Sequence, residues 1–145
     1  MAASTASTRA TEDALLGADL CLRFEDGRVD LACDGGGLRR VSGLDNLVQA
    51  LSMRLMVDRG DVSGLGHPRY GSKIRDLIGE RMDRPNLELI RRYVRRALLE
   101  DERVLEVVEV AVSVRAGAPD SVDVRAVVKA IDEREAQLQV TLDAL

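Results

Sequence analysis

One histidine, two cysteines and a run of carboxylates carry most of the reactive chemistry in this 145-residue sequence. His67 alone would have to serve any Ser-His or Cys-His nucleophilic system. It stands in a Gly/Pro-rich stretch just before Tyr70, where the reading is a loop-ordering hydrogen bond or a helix-entry contact. Cys21 and Cys33 lack the neighbouring histidines that would complete a zinc set, so they read as two small reduced side chains. Gly35-Gly36-Gly37 is not followed by Lys-Ser/Thr, and no dinucleotide fingerprint occurs, so no phosphate cradle is expected. Glu100, Asp101 and Glu102 are consecutive, and their side chains fan out around a helix end. Glycoside hydrolysis needs instead a raised-pKa acid and a second carboxylate at a defined separation in a cleft. The sequence therefore predicts no catalytic residue, no cofactor and no metal.

Composition narrows the partners. Aromatic residues are 2% of the chain (Phe24, Tyr70 and Tyr93, with no Trp), so the core must be aliphatic and stacking platforms for single-stranded nucleic acid are missing. The net charge of −4 argues against nucleic-acid binding through basic surfaces. No apolar run reaches membrane-spanning length, and the start of the sequence has no apolar signal-peptide segment. A cytoplasmic protein with no membrane partner is the expectation.

Two charged groups could serve contacts. Arg91 and Arg95, like Arg92 and Arg96, are four apart and form a basic stripe on one helix face. The stripe reads as a solvated face, as a contact with an acidic partner or as a phosphate-binding surface, the last disfavoured by the acidic chain. Asp101 and Arg103 bracket the next turn. A planar guanidinium bridges carboxylate and carbonyl groups at once, which suits a subunit junction. The plainer alternative is that Asp101-Glu102-Arg103 ends a helix on a solvated surface.

The elements that must position these groups follow from periodicity. Residues 1–13 are small and polar and read as a flexible tail; residues 14–145 read as a single domain. Leu20 to Phe24 and Val29 to Cys33 alternate as two strands around an Asp26-Gly27 turn. Asp34 to Gly37 breaks the ladder and reads as a flexible loop. Ser42 and Asp45 have capping-box spacing before a helix with Leu44, Leu47, Val48, Leu51 and Leu55 on one face, ending near Val57. An irregular loop over 60–68 and a short helix over 72–78 follow. A longer helix spans about 85–100, with Leu87, Ile90, Val94, Ala97 and Leu98 inward and Pro85 in its first turn.

From Val104 the period becomes two. Val108, Val110, Val112 and Val114 are expected to face one way. Val122, Val124, Ala126 and Val128, then Leu138, Val140 and Leu142, repeat the alternation. The fold class is thus α+β: an antiparallel C-terminal meander packed against two or three helices, with a short N-terminal β-hairpin. The last strand is a candidate edge, and removal of 136–145 is expected to leave a soluble fold.

Three runs in fixed order carry a resemblance. They are Val41-Ser42-Gly43-Leu44-Asp45-Asn46-Leu47 continuing to Arg54-Leu55, His67-Pro68-Arg69-Tyr70-Gly71-Ser72, and Ala97-Leu98-Leu99-Glu100-Asp101-Glu102-Arg103-Val104. In this order the sequence resembles the small baseplate-wedge, or sheath-initiator, family of contractile phage tails, type VI secretion baseplates and related injection systems. That family often has Glu-Pro-Arg or Asp-Pro-Arg where Asp101-Glu102-Arg103 stands here. The resemblance implies a non-catalytic baseplate subunit whose partners are sheath subunits and other wedge proteins, within reach of the tube or hub. It implies several copies, six per baseplate, and residence in the cytoplasm, in the assembled complex or in the released particle. It also implies a sheath-facing sheet of strands over 104–145 that the first sheath ring extends by β-augmentation. Partner contact is assigned on this basis to Asp101, Arg103, Leu138, Val140 and Leu142, and from the basic stripe to Arg91 and Arg95. Some members have carried a lysozyme label, so a peptidoglycan hydrolase of a phage tail is the runner-up.

Overall fold

The computed structural model describes residues 7, 10–11, 14–25 and 28–143. Most of the expected tail over 1–13, the Asp26-Gly27 turn and the last two residues lie outside this set. The chain divides into two compact units, 1–50 and 51–145, and the division falls within the first long helix.

The first unit is made of short antiparallel ribbons. Strand β1 (Ala18–Leu20) pairs with β6 (Arg40–Ser42), β2 (Leu22–Glu25) with β3 (Arg28–Leu31), and β4 (Cys33–Asp34) with β5 (Gly37–Leu38). The expected 20–24 strand is therefore split at Cys21. The reason is a three-way join, in which Cys21 N–H donates to Arg39 O at 2.7 Å, Ala32 N–H to Cys21 O at 2.8 Å and Arg39 N–H to Ala32 O at 2.9 Å. The glycine run is not a flexible loop. Gly35 and Gly36, both at positive φ, form the two-residue turn between Asp34 and Gly37, a conformation that glycine adopts without steric cost.

Helix α1 (Gly43–Met56) begins after β6. Its first turns are tied to residues 16–22 by two side-chain amides. The Gln49 amide accepts from Leu22 N–H at 2.7 Å and donates to Leu20 O at 2.9 Å. Buried Asn46 donates to Leu16 O at 3.0 Å.

The second unit holds the end of α1, a long connection, helix α2 (Arg84–Leu99) and the sheet β7 (Val104–Arg115), β8 (Ala118–Ala130) and β9 (Glu135–Asp143). Asp83 caps α2 by accepting from Asn86 N–H at 3.1 Å, and Pro85 lies in the first turn, where no amide is missed. Ile90, Val94, Ala97 and Leu98 are buried along one stripe, and α2 packs on β7. The expected short helix over 72–78 is only a 3₁₀ turn, Ile74–Asp76, with Ile74 buried.

The sheet is an antiparallel meander in the order β7-β8-β9. Its two pairings differ. Strands β8 and β9 stay in register over nine consecutive pairs, from Ser121↔Asp143 to Lys129↔Glu135. Strands β7 and β8 slip three times, between Val104 and Glu106, between Val107 and Glu109, and between Val114 and Arg115. Each slip re-aims side chains. Val104, Val107, Val110 and Val112 are buried and Val108 faces solvent, while Val114 shares the face of Val110 and Val112 and is part exposed near the end of the strand. The expectation that Val108 faces in with Val110 fails because Val108 is the extra residue of the bulge.

On β9, Ala136, Leu138, Val140 and Leu142 are all buried, so removal of 136–145 would open the core rather than spare the fold.

Candidate partner-binding site

The sequence places Asp101, Glu102 and Arg103 where α2 stops and β7 starts, and the turn closes on itself. Asp101 is 7% exposed. Its carboxylate accepts from Arg103 N–H at 3.1 Å, from Arg103 Nε at 2.9 Å and from Arg103 Nη2 at 2.8 Å. Arg54 Nη2, from the last turn of α1, lies 3.9 Å from the same carboxylate. Burial alone would raise the Asp101 pKa. The Arg103 hydrogen bonds and the Arg103 and Arg54 charges outweigh it, so the carboxyl is held below its ordinary value. The Asp101 bonds in turn raise Arg103, against desolvation.

Arg54 also stacks on Tyr70, its guanidinium carbon 4.7 Å from the ring centre. Burial, the largest effect, pushes the Tyr70 phenol above its usual pKa. Tyr70 is held in place by its neighbours. Gly71 sits at φ +98°, and a Cβ there would come 2.6 Å from Val57 O and 2.8 Å from Asp58 O, so no other residue fits. Buried Ser72 donates to Leu55 O at 2.9 Å, and its own N–H donates to Val57 O at 2.9 Å. The run from His67 to Ser72 is thus a clip on the end of α1. His67 joins it through its backbone: its N–H donates to Val62 O and its carbonyl accepts from Tyr70 N–H. Arg54, His67, Arg69, Tyr70 and Glu100 line an open cleft of about 640 Å³. Glu100 accepts two bonds from Arg59 Nη1, at 3.0 and 3.1 Å, and lies 3.6 Å from Arg96 Nε.

A second clasp repeats the first. Arg134 N–H donates to Asp132 Oδ1 at 3.1 Å and Arg134 Nε donates to Asp132 Oδ2 at 2.8 Å. Between them Glu133 takes φ +67°, unusual for a residue with a Cβ. The two clasps adjoin, because Ile131 N–H donates to Arg103 O at 3.0 Å. The sequence signal was the tripeptide Asp-Glu-Arg occurring twice, at 101–103 and 132–134. Arg54 and Tyr70 were also passed over as site residues, although Tyr70 is one of three aromatics and Arg54 borders the apolar stripe at Leu55.

The other expected contact residues are engaged within the chain. Arg91 pairs with Glu88 one turn back, and Arg95 Nη1 donates to Val107 O at 2.9 Å. Leu138, Val140 and Leu142 point into the core, so β9 offers its backbone to a neighbour rather than these side chains. Which amides are offered follows from the ladder. Ala130 N–H donates to Arg134 O, which makes these two a hydrogen-bonded pair. Antiparallel alternation then turns the N–H and C=O of Ala136, Leu138, Val140 and Leu142 toward β8, and those of Gln137, Gln139 and Thr141 toward the open side. Among the described residues no group of three metal-ligating side chains occurs, and no helix is long and apolar enough to cross a membrane.

The family model for the contractile injection system sheath initiator matches residues 20–133. The chain belongs to the sheath initiator family. As a sheath initiator it shares its fold with a chain of the anti-feeding prophage baseplate, solved by cryo-electron microscopy with six-fold symmetry: TM-score 0.56, 18% identity, 93% of this chain and 91% of that one. It is also similar to a crystal structure of a Geobacter sulfurreducens protein provisionally labelled a tail lysozyme: TM-score 0.60, 20% identity, 69% of this chain and 89% of that one. Likeness at these identities speaks for the fold. No curated protein matches this sheath initiator sequence.

Proposed function

We propose that this sheath initiator is a non-catalytic subunit of the baseplate of a contractile injection machine, and that it starts the sheath by β-strand exchange at β9. Family membership supports the baseplate role. The observation that carries the exchange is the straight outer edge of β9, where Gln137, Gln139 and Thr141 present backbone groups to a further strand. Sheath subunits are the strand donors. Other wedge proteins meet the Asp101–Arg103 loop and Arg91 on α2, while Arg95, bonded to Val107 O, acts within its own chain. Six copies would match the six-fold symmetry of the similar baseplate. Assembly takes place in the cytoplasm.

Hydrolysis of a cell wall is the weaker reading. A glycosidase acid keeps its proton at neutral pH, but Asp101 is held below its ordinary pKa, and Glu100 is paired with Arg59 and Arg96.

The experiment is Gln139→Pro. Proline removes an outward amide without breaking the β8 ladder. Sheath growth on baseplates carrying this variant should stop while the chain stays folded. Sheaths of normal number would overturn the strand-exchange reading.

A further inference from the structure

A three-stranded sheet has two open edges, and both are long enough to recruit a strand. Strand β7 is the more exposed hazard, since Leu105 and Val108 face solvent along it and Val114 is part exposed near its end. An exposed apolar edge of this kind pairs with other chains unless something blocks it. The two edges of this sheet are treated in opposite ways. The β9 ladder is unbroken, whereas the β7 ladder slips at three places along its twelve residues.

The direction of the β7 backbone follows from the same alternation. The even-numbered residues of β8 from Val122 to Val128 face β9, so Asp123, Arg125, Val127 and Lys129 face β7. The bond from Ile131 N–H to Arg103 O agrees with this parity. Val107 pairs with Val128, and Val110, Val112 and Val114 pair with Ala126, Val124 and Val122. The N–H and C=O groups of those four residues therefore point to the open side of β7. At the bulge, the outward carbonyl of Val107 is occupied by Arg95 Nη1 at 2.9 Å.

We infer that Arg95 and the Val108 bulge close the β7 edge, so that the sheet accepts one strand, at β9, and grows on one side only. A guanidinium on Val107 O removes the acceptor an incoming strand would need, and the bulge twists the strand away from the flat geometry that pairing requires. Arg95 is thus a gatekeeper for the edge, acting within its own chain. The added strand at β9 rests on the strand-exchange reading above, but the closure of β7 does not.

The test uses the full chain carrying Gln139→Pro, which closes β9, so that any remaining strand pairing must use β7. Sedimentation equilibrium measures self-association, and hydrogen exchange follows the amides of Val110, Val112 and Val114. The Gln139→Pro chain should be monomeric. Adding Arg95→Ala should tighten self-association by about tenfold and slow exchange at those three amides. Deleting Val108 as well, which straightens β7 and keeps its alternation, should tighten it further. Arg95→Lys keeps a donor and should behave as the parent. The inference is overturned if the Arg95→Ala and Val108-deleted chains stay monomeric, or if they associate while those amides exchange as before. Failure of Gln139→Pro to stop sheath growth would sink strand exchange instead and leave this result standing.

Discussion

Arg103 wraps back on Asp101 through three donors, its own N–H, Nε and Nη2, all between 2.8 and 3.1 Å from the carboxylate. The family run commonly has Pro between these two positions, and here Glu102 occupies it with an exposed side chain. The clasp forms without proline, because the Arg103 backbone N–H supplies the bond that fixes the turn.

Breaking the clasp should cost stability as well as contact. Arg103→Ala leaves Asp101 buried, with Arg54 at 3.9 Å as its charged neighbour. Removing one partner of a buried pair costs about 3 kcal/mol, to be read from urea unfolding. Baseplate incorporation is therefore better tested at Glu102, whose side chain is exposed and whose replacement by Ala should leave the unfolding midpoint unchanged.

The same pair sets an acid limit. The folded pKa of Asp101 lies below its unfolded value of about 3.9. Its contribution is fully present above that value and is lost as pH falls through the folded pKa. Wild type should lose stability on acidification below about pH 4 more steeply than Asp101→Asn, which starts lower and has no such proton to take up. Denaturant midpoints across this range decide it.

Gly71→Ala should be among the most damaging single substitutions. The added Cβ meets backbone, not a flexible side chain, at 2.6 Å, and φ is +98°. Strain of this kind costs about 2–4 kcal/mol, and the thermal midpoint should fall accordingly. The Tyr70 stack on Arg54 should be loosened with it.

Glu133→Gly should work in the other direction. Glu133 holds φ +67° in the turn between β8 and β9. Glycine removes a penalty of about 1 kcal/mol, and the melting temperature should rise by a few degrees. A lower melting temperature would mean that the Glu133 side chain stabilises the turn.

Much of the architecture was legible because aliphatic periodicity dictates it. The stripe Ile90, Val94, Ala97 and Leu98 gave α2 to within a residue, and the alternation of Leu138, Val140 and Leu142 gave β9. What the pattern could not carry were departures from period two. Val107-Val108 reads as a continuous apolar run, so the bulge is silent until the strand is paired. The β1–β6 pairing and the Cys21 join depend on contacts between residues far apart in sequence, with no local signature. At the candidate site, Asp101 and Arg103 were readable from type and spacing. Arg54 and Tyr70 were not, because their meeting depends on the Gly71 approach that folds the connection back on α1.

The near absence of aromatic rings has a practical consequence. With no tryptophan and only two tyrosines, phenol emission is not lost to an indole acceptor. One of the two emitters, Tyr70, lies against a guanidinium in the wall of the cleft. The chain thus carries its own optical reporter: a change in ultraviolet fluorescence on docking, absent in Tyr70→Leu, would register occupation of that cleft without any attached dye.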